Sequence, residues 1–185
     1  MPLIPTALAP NSLAGATIAF DLDGTLVDTA PDLVARFVTI YRARIADESR
    51  PFDGVEAALD SLAGAGAALC VCTNKPTDLS ITLLDALGMS GRFVAIVGAD
   101  RAPAPKPDPR HLLAAIAAAG GQPGRALMVG DSISDTEAAR AAAVPSIVVS
   151  FGYTDIALDD LGADHLIDHF DELPPLAARL LAGAV

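Results

Sequence analysis

The stretch that decides the reading is Ala16–Ala30, ATIAFDLDGTLVDTA. A short apolar run, Thr17–Phe20, ends in two carboxylates one residue apart, Asp21 and Asp23, and then Gly24. Like charges at close range are costly unless a cation or a shared proton compensates them. The rest of the chain has to supply that compensation.

The run is the first of six similar ones. The others are Ala68–Cys72, Phe93–Val97, Ala126–Val129, Ser146–Ser150 and His165–Ile167. Most are continuously apolar, the pattern of strands covered on both faces. Helix patterns lie between them: Val55–Ala63, Leu79–Leu87 closed by Gly88, Pro109–Ala119 with Asp108 as N-cap, and Thr136–Ala143 ahead of Pro145. This alternation predicts an α/β, Rossmann-like parallel sheet with helices on both faces. The 185 residues suffice for a single core domain spanning the whole chain.

Composition narrows the function. Twelve basic and 23 acidic residues give a net charge of −11, which argues against nucleic acid and anionic membranes as partners. An anionic substrate then needs a metal or a local cation. Cys70 and Cys72 fall on one face of a strand, poor geometry for a disulfide, and are expected to be buried core residues. His111, His165 and His169 lie away from the acidic segments and are expected to be structural or on the surface. The N-terminal MPLIPTALAPNSLAG has no basic start and carries three prolines. It is expected to be an irregular arm and not a signal peptide or a spanning helix, so the expected location is the cytoplasm.

In open parallel sheets, ligands bind outside the carboxyl ends of the strands. The residues there are Asp21 and Asp23, then Thr73-Asn74, then Lys106 in a proline-rich loop, then Asp131 with Asp135 four residues on. Three clustered carboxylates (Asp21, Asp23, Asp131) suit a hard divalent cation such as Mg²⁺. Lys106 offers a point charge, Thr73 a hydroxyl, Gly24 a sharp turn that presents backbone N–H groups, and Asp135 a group to orient Lys106 or a metal-bound water. This set suits phosphoryl transfer to a carboxylate nucleophile, Asp21, with Asp23 as acid and base. A Ca²⁺ loop of the EF-hand kind fits DLDGTLVD poorly, because a strand and not a helix leads in and the late Glu is missing.

FDLDGT, VCTN, KPDP and VGDSISD, in that order, resemble the four motifs of the haloacid dehalogenase-like superfamily and span Ile18 to about Tyr153. FDLDGTLVDTAPDL and VGDSISDTEAARAA are similar to the phosphoglycolate phosphatases within it. The resemblance implies Asp21 as nucleophile and Asp23 as acid/base. It implies Mg²⁺ held by Asp21, the Asp23 backbone carbonyl and Asp131. Phosphate would be held by Thr73 and Lys106, with Asn74 beside it and Gly24 at the turn.

Capped relatives carry a helical domain between the first two motifs. Here residues 29–51 leave room for a remnant of about one helix, with Leu33, Val34, Phe37, Val38, Tyr41 and Ile45 on one stripe. The expected consequences are lower substrate discrimination and a possible homo-oligomer built on the exposed stripe. A naturally capless sugar-phosphate phosphatase and a catalytically silent core are alternatives that the sequence leaves open.

Overall fold

The computed structural model describes residues 8–29 and 49–182. The core is a six-stranded parallel sheet in the order β5-β4-β1-β6-β7-β8. Its strands are β1 (Thr17–Phe20), β4 (Ala68–Thr73), β5 (Ala95–Gly98), β6 (Ala126–Gly130), β7 (Ser146–Val149) and β8 (His165–Ile167). Among the described residues five helices connect or close it: α1 (Val55–Gly64), α2 (Thr77–Ala86), α3 (Pro109–Ala118), α4 (Ile133–Ala141) and α5 (Leu173–Ala182).

Alternation along the strands sorts the core into two layers. Ile18, Phe20, Leu69, Val71, Leu127 and Val129 face the larger cluster, which is completed by α1 and α5. Ala19, Cys70, Cys72, Ala126 and Met128 face the other, packed against Leu112, Ala115 and Ile116 of α3. Small strand residues on this face let α3 approach closely. Both cysteines are free and buried there, as expected, and burial pushes each thiol up to about 12. His111 is fully buried on α3, with Nε2 on the Val97 carbonyl at 3.1 Å, a structural role.

The chain builds outward from β1 to β4 and β5, then crosses back to β6 on the other side of β1. The carboxyl end of β1 is therefore the switch point, where a crevice opens. Asp21 continues β1 there, its N–H bonded to the Val129 carbonyl at 2.8 Å.

A two-stranded antiparallel ladder, β2 (Val27–Asp28) with β3 (Arg50–Pro51), sits next to this crevice. Val27 pairs with Pro51 and Asp28 with Arg50, so both ends of the intervening segment are fixed side by side. The expected cap-remnant helix, with Phe37, Val38 and Tyr41, lies outside the described residues, as does most of the N-terminal arm. Among the described residues no helix is long and apolar enough to cross a membrane.

Two of the boundaries that differ from expectation have identifiable reasons. Phe93 closes a 3₁₀ turn instead of opening a strand, and its ring meets Phe20 edge-on at 6.5 Å. Helix α4 begins at Ile133 and not Thr136, because Ser132 and Asp135 form a capping box ahead of it.

Candidate active site

Lys106 is the centre of the arrangement. It enters from the loop between β5 and α3, and only 2% of its side chain is exposed. Its Nζ donates to Asp21 Oδ1 at 2.7 Å, Asp135 Oδ1 at 2.6 Å and the Cys72 carbonyl at 2.7 Å. All three ammonium protons are thus directed. Burial works against the charge, but Asp135 and Asp21 outweigh it and hold the ammonium well above its usual range.

Asn74, expected beside a phosphate, is otherwise engaged. Its Nδ2 donates to the Lys106 carbonyl at 3.0 Å and its Oδ1 accepts from the Lys106 N–H at 2.9 Å. With both amide atoms on one backbone unit, Asn74 fixes the Lys106 loop to the end of β4. Thr73 ends that strand, buried, its Oγ1 accepting from the Lys75 N–H at 3.2 Å. Its hydroxyl proton is left to donate.

Asp135 anchors the other side. Its Oδ2 accepts from Ser132 Oγ at 2.6 Å, Ser132 N at 3.1 Å and Asp131 N at 3.3 Å. Both oxygens are therefore committed. Asp131 has its Oδ2 on the Tyr153 N–H at 2.8 Å. One carboxylate oxygen each of Asp21, Asp131 and Asp135 lies within 4.8 Å of the others. Since Asp135 already serves Lys106 and the α4 cap, Asp21 and Asp131 are the two with an oxygen to offer a cation.

Burial pushes Asp21 up to about 7, opposed by the Lys106 charge and reinforced by Asp135 and Asp131. Asp131 is pushed up to about 6, again by burial first, against the pull of the Tyr153 N–H. Burial thus favours the neutral form of both carboxyl groups in the metal-free fold. A divalent cation between them would favour the ionised form of both. The donor set is all oxygen, which fits Mg²⁺.

The glycines shape this pocket in ways the sequence signalled only in part. Gly24 has φ +78°, and a Cβ there would overlap Asp131 Oδ2. Gly24 makes the expected turn, and its own N–H is used within it, donating to the Val27 carbonyl at 3.0 Å. Gly152 presses equally close to Asp131 from the other side.

Asp23 points elsewhere than the carboxylate cluster. Its Oδ1 forms an ion pair with Lys75 Nζ at 2.7 Å, at the more open rim of the site. Sequence reasoning passed over Lys75. A signal was available: Lys75 and Lys106 are the chain's only lysines, all other basic residues being arginine. Tyr153 was also passed over. Its hydroxyl donates to Asp28 Oδ1 at 2.5 Å and contacts the Thr29 N–H, so it ties the β2–β3 stem to Asp131.

Known proteins resemble this chain in sequence and in fold. The family model described as haloacid dehalogenase-like hydrolase matches residues 31–149. The phosphoglycolate phosphatase of Caulobacter vibrioides is 45% identical over 225 residues, covering 94% of this chain and 95% of the relative. That alignment is longer than the chain, so the relative has residues with no counterpart here. The phosphoglycolate phosphatase of Agrobacterium fabrum is 41% identical, covering 84% and 89%. A crystal structure of a predicted phosphoglycolate phosphatase from Haemophilus somnus superposes with a TM-score of 0.76 over 89% of this chain and 98% of that one, at 24% identity, which speaks to the fold. With a matching model over most of its length and full-span relatives above 40% identity, the chain belongs to the haloacid dehalogenase-like hydrolase family.

Proposed function

We propose that the protein hydrolyses small phosphate monoesters, phosphoglycolate among them, through an aspartyl-phosphate on Asp21. The observation that carries the reading is the placement of Lys106 Nζ between Asp21 and Asp135, with Asp131 across the crevice. That geometry holds a cation against Asp21 Oδ1 and makes the second carboxylate oxygen the candidate nucleophile.

In this mechanism the free Asp21 oxygen attacks phosphorus and the P–O bond to the alcohol breaks. Asp23 gives its proton to the leaving oxygen, then takes one from the water that attacks the phosphoryl group. Phosphate departs and Asp21 is regenerated. The positive charge of Lys106 and a hydrogen bond donated by the Thr73 hydroxyl stabilise the phosphoryl oxygens as charge spreads over them. Mg²⁺, held by Asp21, Asp131 and the Asp23 backbone carbonyl, would neutralise phosphate charge and keep Asp21 ionised.

Discrimination is the second part of the proposal. The stem Asp28–Arg50 pairing brings the two ends of the segment between the first two motifs together, which lets an insertion be long or short without altering the sheet. The segment between the two stem strands is short in sequence, and a short segment offers little material for a lid. A lid excludes water and contacts the leaving group, so its reduction lowers selectivity more than it lowers chemistry. The apolar residues Phe37, Val38 and Tyr41, expected from the sequence to share one helical stripe, are the basis for proposing self-association.

The test is turnover of an aryl phosphate with and without Mg²⁺, beside an Asp21→Asn variant. Mg²⁺-dependent turnover that the substitution abolishes is expected. Equal activity in the variant would refute the reading.

A further inference from the structure

Lys75 has no task in the mechanism above, yet its position is not that of an ordinary surface charge. The chain uses arginine for its other basic residues, and spends its two lysines on the first-motif carboxylates, Lys106 on Asp21 and Lys75 on Asp23. Only 8% of the Lys75 side chain is exposed, against 26% for Asp23. The lysine is therefore the more buried partner of the pair. Its ammonium is a compact charge that can turn between two carboxylates, which a planar guanidinium fork does less readily.

We infer that Lys75 recognises a carboxylate on the leaving group and so selects for anionic over neutral phosphate monoesters. The inference rests on the proposed monoester hydrolysis with Asp23 as acid. Asp23 has to meet the oxygen that leaves phosphorus. The Lys75 ammonium, 2.7 Å from Asp23 Oδ1, therefore borders the space just beyond that oxygen. A 2-phosphorylated short hydroxy acid has its carboxylate there, one methylene from the ester oxygen.

Charge balance points the same way. Among the described residues, Asp21, Asp23, Asp131 and Asp135 set four carboxyl groups at this edge against the two ammonium groups of Lys75 and Lys106. A divalent cation would be directed at the transferred phosphoryl group together with Lys106. Of the described cations, Lys75 is then the one beside Asp23 to meet a further carboxylate on the substrate, in a protein of net charge −11.

The experiment compares 2-phosphoglycolate with 2-hydroxyethyl phosphate, which replaces the carboxylate by a neutral hydroxymethyl group, in wild-type protein and in Lys75→Met and Lys75→Arg. The quantity read is the ratio of kcat/KM for the two esters. A charge-assisted hydrogen bond lost to the substrate corresponds to about a tenfold to hundredfold fall in that ratio for Lys75→Met. Lys75→Arg is expected to recover most of it, and the fall is expected mainly in KM for phosphoglycolate. A Lys75→Met variant that loses both activities equally, or neither, overturns the inference while leaving the hydrolysis reading intact. Wild-type protein inactive on both esters removes the hydrolysis reading and the inference together.

Discussion

Replacing Asp135 by Asn isolates the scaffold of the site from its chemistry. The amide has nearly the same shape, so no cavity forms, but it cannot meet every present demand. Oδ1 now accepts from Lys106 at 2.6 Å, while Oδ2 accepts from Ser132 Oγ and from two backbone N–H groups. An asparagine has one acceptor and one donor. Whichever way it is turned, an NH₂ group confronts either the ammonium or the N–H pair. Losing a charged partner in a buried pair, here 2% and 1% exposed, costs about 3–5 kcal/mol when nothing replaces it. The retained acceptor places the expected loss near about 3 kcal/mol, a large part of a typical total of about 5–15. Metal content decides the sign of the comparison. In metal-free protein Asp135 also repels Asp21 and Asp131, so neutralising it relieves them. The measurement is therefore urea unfolding in saturating Mg²⁺. With a slope of about 2 kcal/mol/M, the midpoint should fall by about 1.5 M. Turnover should fall at least about tenfold, because Lys106 then has Asp21 and the Cys72 carbonyl as its only fixed partners. A midpoint within about 0.3 M of wild type would refute the claim that Asp135 holds Lys106 in place.

Gly24→Ala should be more damaging to metal binding than to folding. The positive φ costs about 1 kcal/mol, while the added methyl displaces Asp131; the Mg²⁺ concentration for half-maximal thermal stabilisation should rise at least about tenfold, and an unchanged value would count against Asp131 as a ligand. Acidity gives a second handle. Asp21 and Asp131 have folded-state pKa values of about 7 and 6, above the unfolded carboxylate value of 3.8, so the metal-free fold binds more protons and loses stability as pH rises from about 4 to 7. His111, whose pKa burial lowers, acts oppositely below about 6.5, but it is not a cation ligand, so Mg²⁺ should remove the carboxylate slope and leave the histidine one. Identical pH profiles of melting temperature with EDTA and with Mg²⁺ would contradict this. Light scattering should find association that weakens in a Phe37→Glu variant; a monomer at high concentration would remove the case for self-association through this segment.

Much of the fold was legible because buried parallel strands are written as apolar runs. The bounds of β1 and β8 coincide with the expected runs, and β4 needed only Thr73 added. Helix α5 escaped because Pro174 and Pro175 read as breakers, yet both sit in its first turn, where a missing N–H costs nothing. The β2–β3 ladder is two residues long on each side, below what any period can signal. Within the site, Asp21, Lys106, Asp131 and Asp135 were visible as polar groups at strand ends, and the sheet order brings them together. The partners of Asn74 and Gly24 were not visible, since a backbone carbonyl or N–H leaves no trace in the sequence. Lys75 and Tyr153 depend on contacts 52 and 125 residues away along the chain.

The central claim is that Asp21 takes up phosphorus. Asp23→Asn with p-nitrophenyl phosphate tests it, because nitrophenolate leaves without a proton while breakdown of the intermediate still needs a base. Acid quenching within a turnover, followed by peptide mass spectrometry, should find one phosphoryl group on Asp21 in amounts close to the enzyme concentration. Release of nitrophenol with an unmodified Asp21 peptide, or with the phosphoryl group on another residue, would contradict the account.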